Sequence, residues 1–117
     1  VASLQLEMTG GVLAHVTANA RAPYRTLVEV VGDKGVLIAE NGLTVDRPVD
    51  VVLKQAGEVV ETITVTNEDG YVRMLDSFAQ AFRGAGSFPA SGEDGVLNMR
   101  VLDAAYKSWR SGLRESV

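Results

Sequence analysis

Glu29-Val-Val-Gly-Asp-Lys-Gly-Val-Leu37 is the stretch on which the fold turns. Runs of β-branched and aliphatic residues flank Gly32-Asp-Lys-Gly35, which reads as two strands joined by a tight turn. A phosphate loop is the competing reading. It needs consecutive N–H groups opening a helix. Val36–Ala39 continues as strand, so the turn is preferred.

Strand patterns extend on both sides of this hairpin. Upstream, Leu4, Leu6 and Met8 alternate with Ser3, Gln5 and Glu7, the period-2 pattern of a half-buried strand. Gly10-Gly11 turns the chain into Val12–Ala20, which alternates again. Arg21-Ala-Pro-Tyr24 interrupts the pattern, since Pro23 lacks an N–H and suits an edge or a turn. Thr26–Val31 resumes it. Downstream, Asn41-Gly42 signals a two-residue hairpin and Leu43–Asp46 reads as its returning strand. Val51–Lys54 and Val59–Val65 form a last hairpin around Ala56-Gly57. The alternation within Val59–Val65 gives no clear face.

Helical patterns close the chain, over Tyr71–Arg83 and Glu93–Gly112. Asn67 or Asp69 is placed to cap the first, and Gly84 and Gly86 to end it. Val72, Leu75, Phe78, Ala79 and Phe82 form its apolar stripe. Ser91 and Asp94 have capping-box spacing for the second. Its stripe is Val96, Met99, Leu102, Ala105, Tyr106 and Trp109, and Gly112 is its stop. Strands first and helices second imply an α+β domain: a mostly antiparallel open sheet with two C-terminal helices packed on one face. Apolar residues on both faces of Val12–Ala20 and Thr26–Val31 call for a cover on the other face. Residues 1–117 are expected to form a single domain.

Composition narrows function. The chain has 117 residues and a net charge of −4, which disfavours a phosphate backbone and hence nucleic acid. Its pI is about 4.9. No apolar run approaches a membrane span of ~20 residues, and no signal peptide is visible. Cysteine is absent, which removes thiolate metal sites and cysteine nucleophiles and suits a cytoplasmic setting. Val1 implies a processed or partial chain.

Candidate chemistry is sparse. His15 is the only histidine, and a general base needs a partner that orients it. A sheet-surface or interface role is favoured for it. Glu68-Asp69 and Glu93-Asp94 read as helix-start carboxylates rather than metal ligands. The residues singled out for substrate binding are Tyr24 and Arg21. They sit in a loop positioned by strands, and phenol and guanidinium suit hydroxyl-rich or anionic ligands.

Several pieces together resemble the C-terminal domain of the Gfo/Idh/MocA oxidoreductases, the family of glucose–fructose oxidoreductase and inositol 2-dehydrogenase. They are Gly11-Val-Leu-Ala14, Glu29–Leu37, Leu75–Phe82 with its end at Gly84, Phe88-Pro89, Glu93-Asp-Gly95, and Met99–Gly112 with Ala104-Ala105 and Ser108. The resemblance implies an NAD- or NADP-dependent parent enzyme acting on a CH–OH group of a sugar or cyclitol. It implies that this chain is the latter part of the substrate-side and oligomerisation domain, with the N-terminal Rossmann domain as its missing partner. The nucleotide fingerprint, the Glu-Lys-Pro motif and the Asp–His helix of the family are not in the sequence, so no catalytic or cofactor-binding residue is expected here. The resemblance also implies self-association through the sheet face and a substrate-contacting role for Tyr24. The alternative is a free-standing small-ligand or protein-interaction module without enzymatic activity.

Overall fold

The computed structural model describes residues 1–66 and 69–117. Six strands precede two helices: β1 (Ala2–Glu7), β2 (Leu13–Ala18), β3 (Leu27–Val31), β4 (Val36–Glu40), β5 (Val49–Gln55), β6 (Glu58–Val65), α1 (Gly70–Phe82) and α2 (Gly92–Ser111). The α+β class and antiparallel pairing match the expectation. The strands, however, divide between a two-stranded sheet, β1-β2, and a four-stranded sheet, β3-β4-β5-β6. The chain forms two compact units, one of residues 1–21 and 80–117, the other of residues 22–79.

In the first unit, β1 and β2 form a ribbon with Leu4 opposite Val16 and Leu6 opposite Ala14. Helix α2 begins at a complete capping box. Ser91 Oγ accepts from Asp94 N–H at 3.1 Å, and Asp94 Oδ2 accepts from Ser91 N–H at 2.9 Å. The helix stops at Gly112, whose φ of 71° places it in the left-handed region that glycine tolerates. Ala104 is buried at 9% exposure, and Val101, Ala105 and Ser108 around it are half-buried. This corrects the expected stripe: Val96, Met99, Leu102, Tyr106 and Trp109 are exposed.

The second unit is built on the four-stranded sheet. Gly32 N–H donates to Gly35 O at 2.9 Å, closing the β3–β4 turn as expected. Ala56 (φ 49°) and Gly57 (φ 87°) both have positive φ, the signature of a type I′ turn between β5 and β6. The register shifts at Leu53/Lys54, so Leu53 faces Glu61 while Lys54 faces Val59. This bulge changes the phase of alternation along β6, which is why its sequence shows no clear face.

Cross-strand register assigns the faces. Val28, Ala39, Val51 and Ile63 lie in one row, and Val30, Leu37, Leu53 and Glu61 in the next. Alternation puts both rows on one face, apolar except for Glu61 at the β6 edge. The opposite face carries Glu29, Ile38, Val52 and Thr62 in one row, with Glu40, Asp50 and Thr64 beyond it. Val49 is the most buried hydrophobic residue, at 7% exposure, yet Val28, Val30, Leu37 and Ile63 are exposed.

The Asn41–Pro48 segment departs from the expected Leu43–Asp46 strand and its two-residue hairpin. It is a loop of turns and bends. Asn41 N–H donates to Thr26 O at 2.7 Å, and Thr44 N–H donates to Asn41 O at 2.9 Å. Leu43 N–H reaches Thr26 Oγ1 at 3.4 Å, and Thr44 is buried at 5% exposure. These bonds satisfy the backbone locally, so β4 pairs directly with β5 across the longer loop. At the entry to α1, Asp69 has φ 61°, and its carbonyl accepts from Arg73 N–H at 2.9 Å. Asn67 and Glu68 lie outside the described residues. The stripe residues Val72, Leu75, Phe78 and Phe82 are exposed.

The chain exposes 9914 Å². Two separate compact bodies, each of half its 12.5 kDa, would together expose about 7,400 Å². The chain exposes about 2,500 Å² more than that, and Val28, Val30, Leu37 and Ile63 are among its exposed residues.

Candidate functional site

The mixed face of the four-stranded sheet leads to a cavity of about 280 Å³ lined by Ile38, Glu40, Asn41, Arg47, Pro48, Val49, Asp50 and Val52. Its floor is apolar: Ile38 and Val52 are neighbours on β4 and β5. Its polar groups come from strand ends and the loop between them. Alternation fixes Glu40 and Asp50 on this face, while the turn at Asn41 (φ 57°) and the rigid Pro48 shape the loop that carries Arg47.

Each charged group is held by a neighbour. Arg47 Nε and Nη2 donate to Asp46 Oδ1 and Oδ2 at 3.0 and 3.3 Å, a bidentate pair. Thr44 Oγ1 donates to Asp46 Oδ1 at 3.5 Å. The Arg47 guanidinium holds the Asp46 carboxyl below its ordinary value. Arg47 is in turn raised, first by Asp46, with a smaller contribution from the Tyr24 phenol. Arg25 Nη2 lies 3.3 Å from Glu40 Oε1. Thr64 Oγ1 donates to Asp50 Oδ1 at 2.6 Å.

Tyr24, singled out from sequence, belongs to this unit and lies within electrostatic reach of Arg47. It is 73% exposed, and so open to a ligand. Arg21 closes the β1–β2 unit instead. Its backbone N–H donates to Asn19 Oδ1 at 2.9 Å, a local turn bond. Glu40, Asn41, Arg47 and Asp50 were not anticipated. Cross-strand register brings the first and last together, and no local motif announces that.

The cavity presents one guanidinium, two carboxylates and an amide above an apolar floor. Donors and acceptors are thus mixed, which matches hydroxyl groups, each of them both donor and acceptor. His15 is elsewhere, exposed on the ribbon, with Nε2 hydrogen-bonded to Ser3 Oγ at 3.0 Å. That suits the surface role expected of it. Among the described residues no group of three or more His, Cys, Asp or Glu could hold a metal, and no helix is long and apolar enough to cross a membrane.

Neither the Gly32–Gly35 turn nor the start of α2 suits a pyrophosphate. The turn glycine Gly35 approaches a strand backbone: an added Cβ would lie 2.5 Å from Lys54 O. The first turn of α2 spends its cap bonds on Ser91 and Asp94 and carries Glu93 and Asp94, which repel a pyrophosphate.

The family described as "Oxidoreductase family, C-terminal alpha/beta domain" (Gfo/Idh/MocA, C-terminal) matches residues 2–114. No curated protein and no solved structure matches the chain.

Proposed function

Since the chain belongs to the Gfo/Idh/MocA oxidoreductase family as its C-terminal alpha/beta domain, we propose that it is the substrate-side and self-associating domain of a sugar or polyol oxidoreductase. The family typically uses NAD or NADP, and a C-terminal domain implies an N-terminal one in the parent. On this reading the dinucleotide belongs to that N-terminal Rossmann domain, and the chain alone does not turn over. The protein acts in the cytoplasm, and residues 1–117 work as the latter part of one domain.

The observation that carries the reading is the division of the four-stranded sheet into two unlike faces. The mixed face bears the cavity of Glu40, Asn41, Arg47 and Asp50. Arg47 donates to substrate hydroxyls, Glu40 and Asp50 accept from them, and Tyr24 contributes its phenol at the rim. Arg21, in the β1–β2 unit, is proposed separately as a substrate-binding residue, apart from this cavity. The apolar face, through Val28, Val30, Leu37 and Ile63, packs against another subunit and removes part of the uncovered surface.

The test is a titration of the ¹⁵N-labelled chain with myo-inositol and, separately, glucose, followed by NMR. Amide shifts are expected in residues 38–52 and at Tyr24, weakened roughly tenfold or more by Arg47→Ala, as loss of a charge-assisted hydrogen bond implies. Shifts confined to other residues, or unchanged binding in Arg47→Ala, would overturn the assignment.

A further inference from the structure

The cavity lined by Ile38, Glu40, Asn41, Arg47, Asp50 and Val52 carries an uneven balance of charge. Its groups all belong to the unit of residues 22–79. Taking this cavity as the substrate site, as proposed above, we infer that the part of the substrate held here is a polyol without phosphate or carboxylate, and that an amine in place of one hydroxyl strengthens its binding.

The cations near the cavity are already matched. Arg47 Nε and Nη2 both donate to Asp46, at 3.0 and 3.3 Å. Its remaining N–H groups are donors whose charge is balanced from behind. Arg25 Nη2 is held 3.3 Å from Glu40 Oε1. Among the described residues no cation pairs with Asp50; its Oδ1 accepts from the neutral Thr64 hydroxyl at 2.6 Å. Three carboxylates, of Glu40, Asp46 and Asp50, thus stand against the two guanidiniums of Arg25 and Arg47. The excess is negative and sits at Asp50.

Register sharpens the imbalance. Continuing the β4–β5 pairing one step past Ala39–Val51 sets Glu40 opposite Asp50, with roughly 5 Å between Cβ atoms. Like charges facing each other across strands repel. A hydroxyl relieves this by donating to one carboxylate. An ammonium group donates to both and brings the opposite charge. A carboxylate or phosphate on the ligand adds a further negative group beside the two.

The backbone does not compensate. Anions that lack a cation partner are held by runs of backbone N–H groups. In the loop beside the cavity, Asn41 N–H donates to Thr26 O at 2.7 Å, Gly42 N–H to Ala39 O at 3.3 Å and Thr44 N–H to Asn41 O at 2.9 Å. Leu43 N–H reaches Thr26 Oγ1 at 3.4 Å, and Pro48 has no N–H to give. Four consecutive N–H groups are spent within the chain, which leaves no cradle for an anion there.

The ¹⁵N-labelled chain is titrated with glucose, protonated glucosamine and glucuronate, with amide shifts read in residues 38–52. One excess charge at about 4 Å, screened as in water, alters affinity about fivefold. Glucosamine is therefore expected to bind about fivefold more tightly than glucose, and glucuronate about fivefold more weakly. Both differences should shrink as salt is added. Asp50→Asn keeps an acceptor for Thr64 and removes the charge, so the glucosamine-to-glucuronate affinity ratio should fall toward unity. Asp33→Asn, in the turn at the other end of β4, removes the same charge from the chain and should leave that ratio unchanged. Glucuronate binding at residues 38–52 as tightly as glucose would overturn the inference and leave the cavity standing as a polyol site. So would glucosamine binding no more tightly than glucose, or a ratio unmoved by Asp50→Asn or moved equally by Asp33→Asn. An absence of shifts in residues 38–52 with all three sugars would overturn both the inference and the substrate-site reading.

Discussion

Replacing Gly35 by alanine tests the hairpin that organises the larger sheet. The added Cβ would lie 2.5 Å from the Lys54 carbonyl oxygen, 3.2 Å from Gln55 Cγ and 3.5 Å from Leu53 Cδ1. The first contact is about 1 Å inside ordinary van der Waals distance. The carbonyl belongs to β5, where Lys54 faces Val36 in the ladder, so it cannot retreat without disturbing the strand pairing. Overpacking of this kind costs about 1–3 kcal/mol. Alanine also restricts the unfolded chain, which offsets about 0.4–1 kcal/mol because Gly35 does not need positive φ. A net loss of about 1–2 kcal/mol follows. Gly32→Ala is the control. Its Cβ would meet only Gly35 O, at 3.8 Å, so it should be neutral or stabilising by up to about 1 kcal/mol. Urea unfolding followed by circular dichroism measures both. An equal midpoint for the two variants, or a higher one for Gly35→Ala, would refute the close approach of this turn to β5.

Other outcomes follow from local geometry. Ala56 has φ 49° at the first central position of a type I′ turn, so Ala56→Asn should stabilise the chain by about 1 kcal/mol in the same unfolding assay. Ser91→Ala removes the capping-box acceptor and should cost about 1 kcal/mol. The Glu93 carboxyl is held below its ordinary value by backbone N–H at the helix start, then by Ser91. A depressed folded pKa stabilises above the unfolded value, and that stability is lost as pH falls through the folded one. Thermal melts should therefore show helix stability declining on acidification below the usual glutamate range, with a smaller decline in Ser91→Ala.

What the sequence made legible was local. The Ala56-Gly57 hairpin, the Gly32–Gly35 turn, the Ser91–Asp94 box and the Gly112 stop each follow from a few adjacent residues with special backbone needs. The Leu43–Asp46 strand failed because Thr26, distant in sequence, supplies the hydrogen bonds that hold the loop. The α2 stripe was found correctly as apolar, but its direction was not. Hydrophobicity alone favours burying Tyr106 and Trp109, whereas Ala104 is the buried residue of the helix. For the candidate site the sequence offered Tyr24, as an expectation from its loop and from the family resemblance. Glu40 and Asp50 converge only through the β4–β5 register, which the Asn41–Pro48 loop between the strands leaves unannounced in the sequence.

The central claim is that the apolar sheet face is an association surface of this domain. Its most direct test is the solution mass, by light scattering over a concentration series, of the chain with and without Val30→Glu. Val28, Val30, Leu37 and Ile63 are exposed on that face. A dimer or larger species that becomes monomeric with Val30→Glu is the expected result. A strict monomer at every concentration, or an oligomer indifferent to Val30→Glu, would contradict the claim.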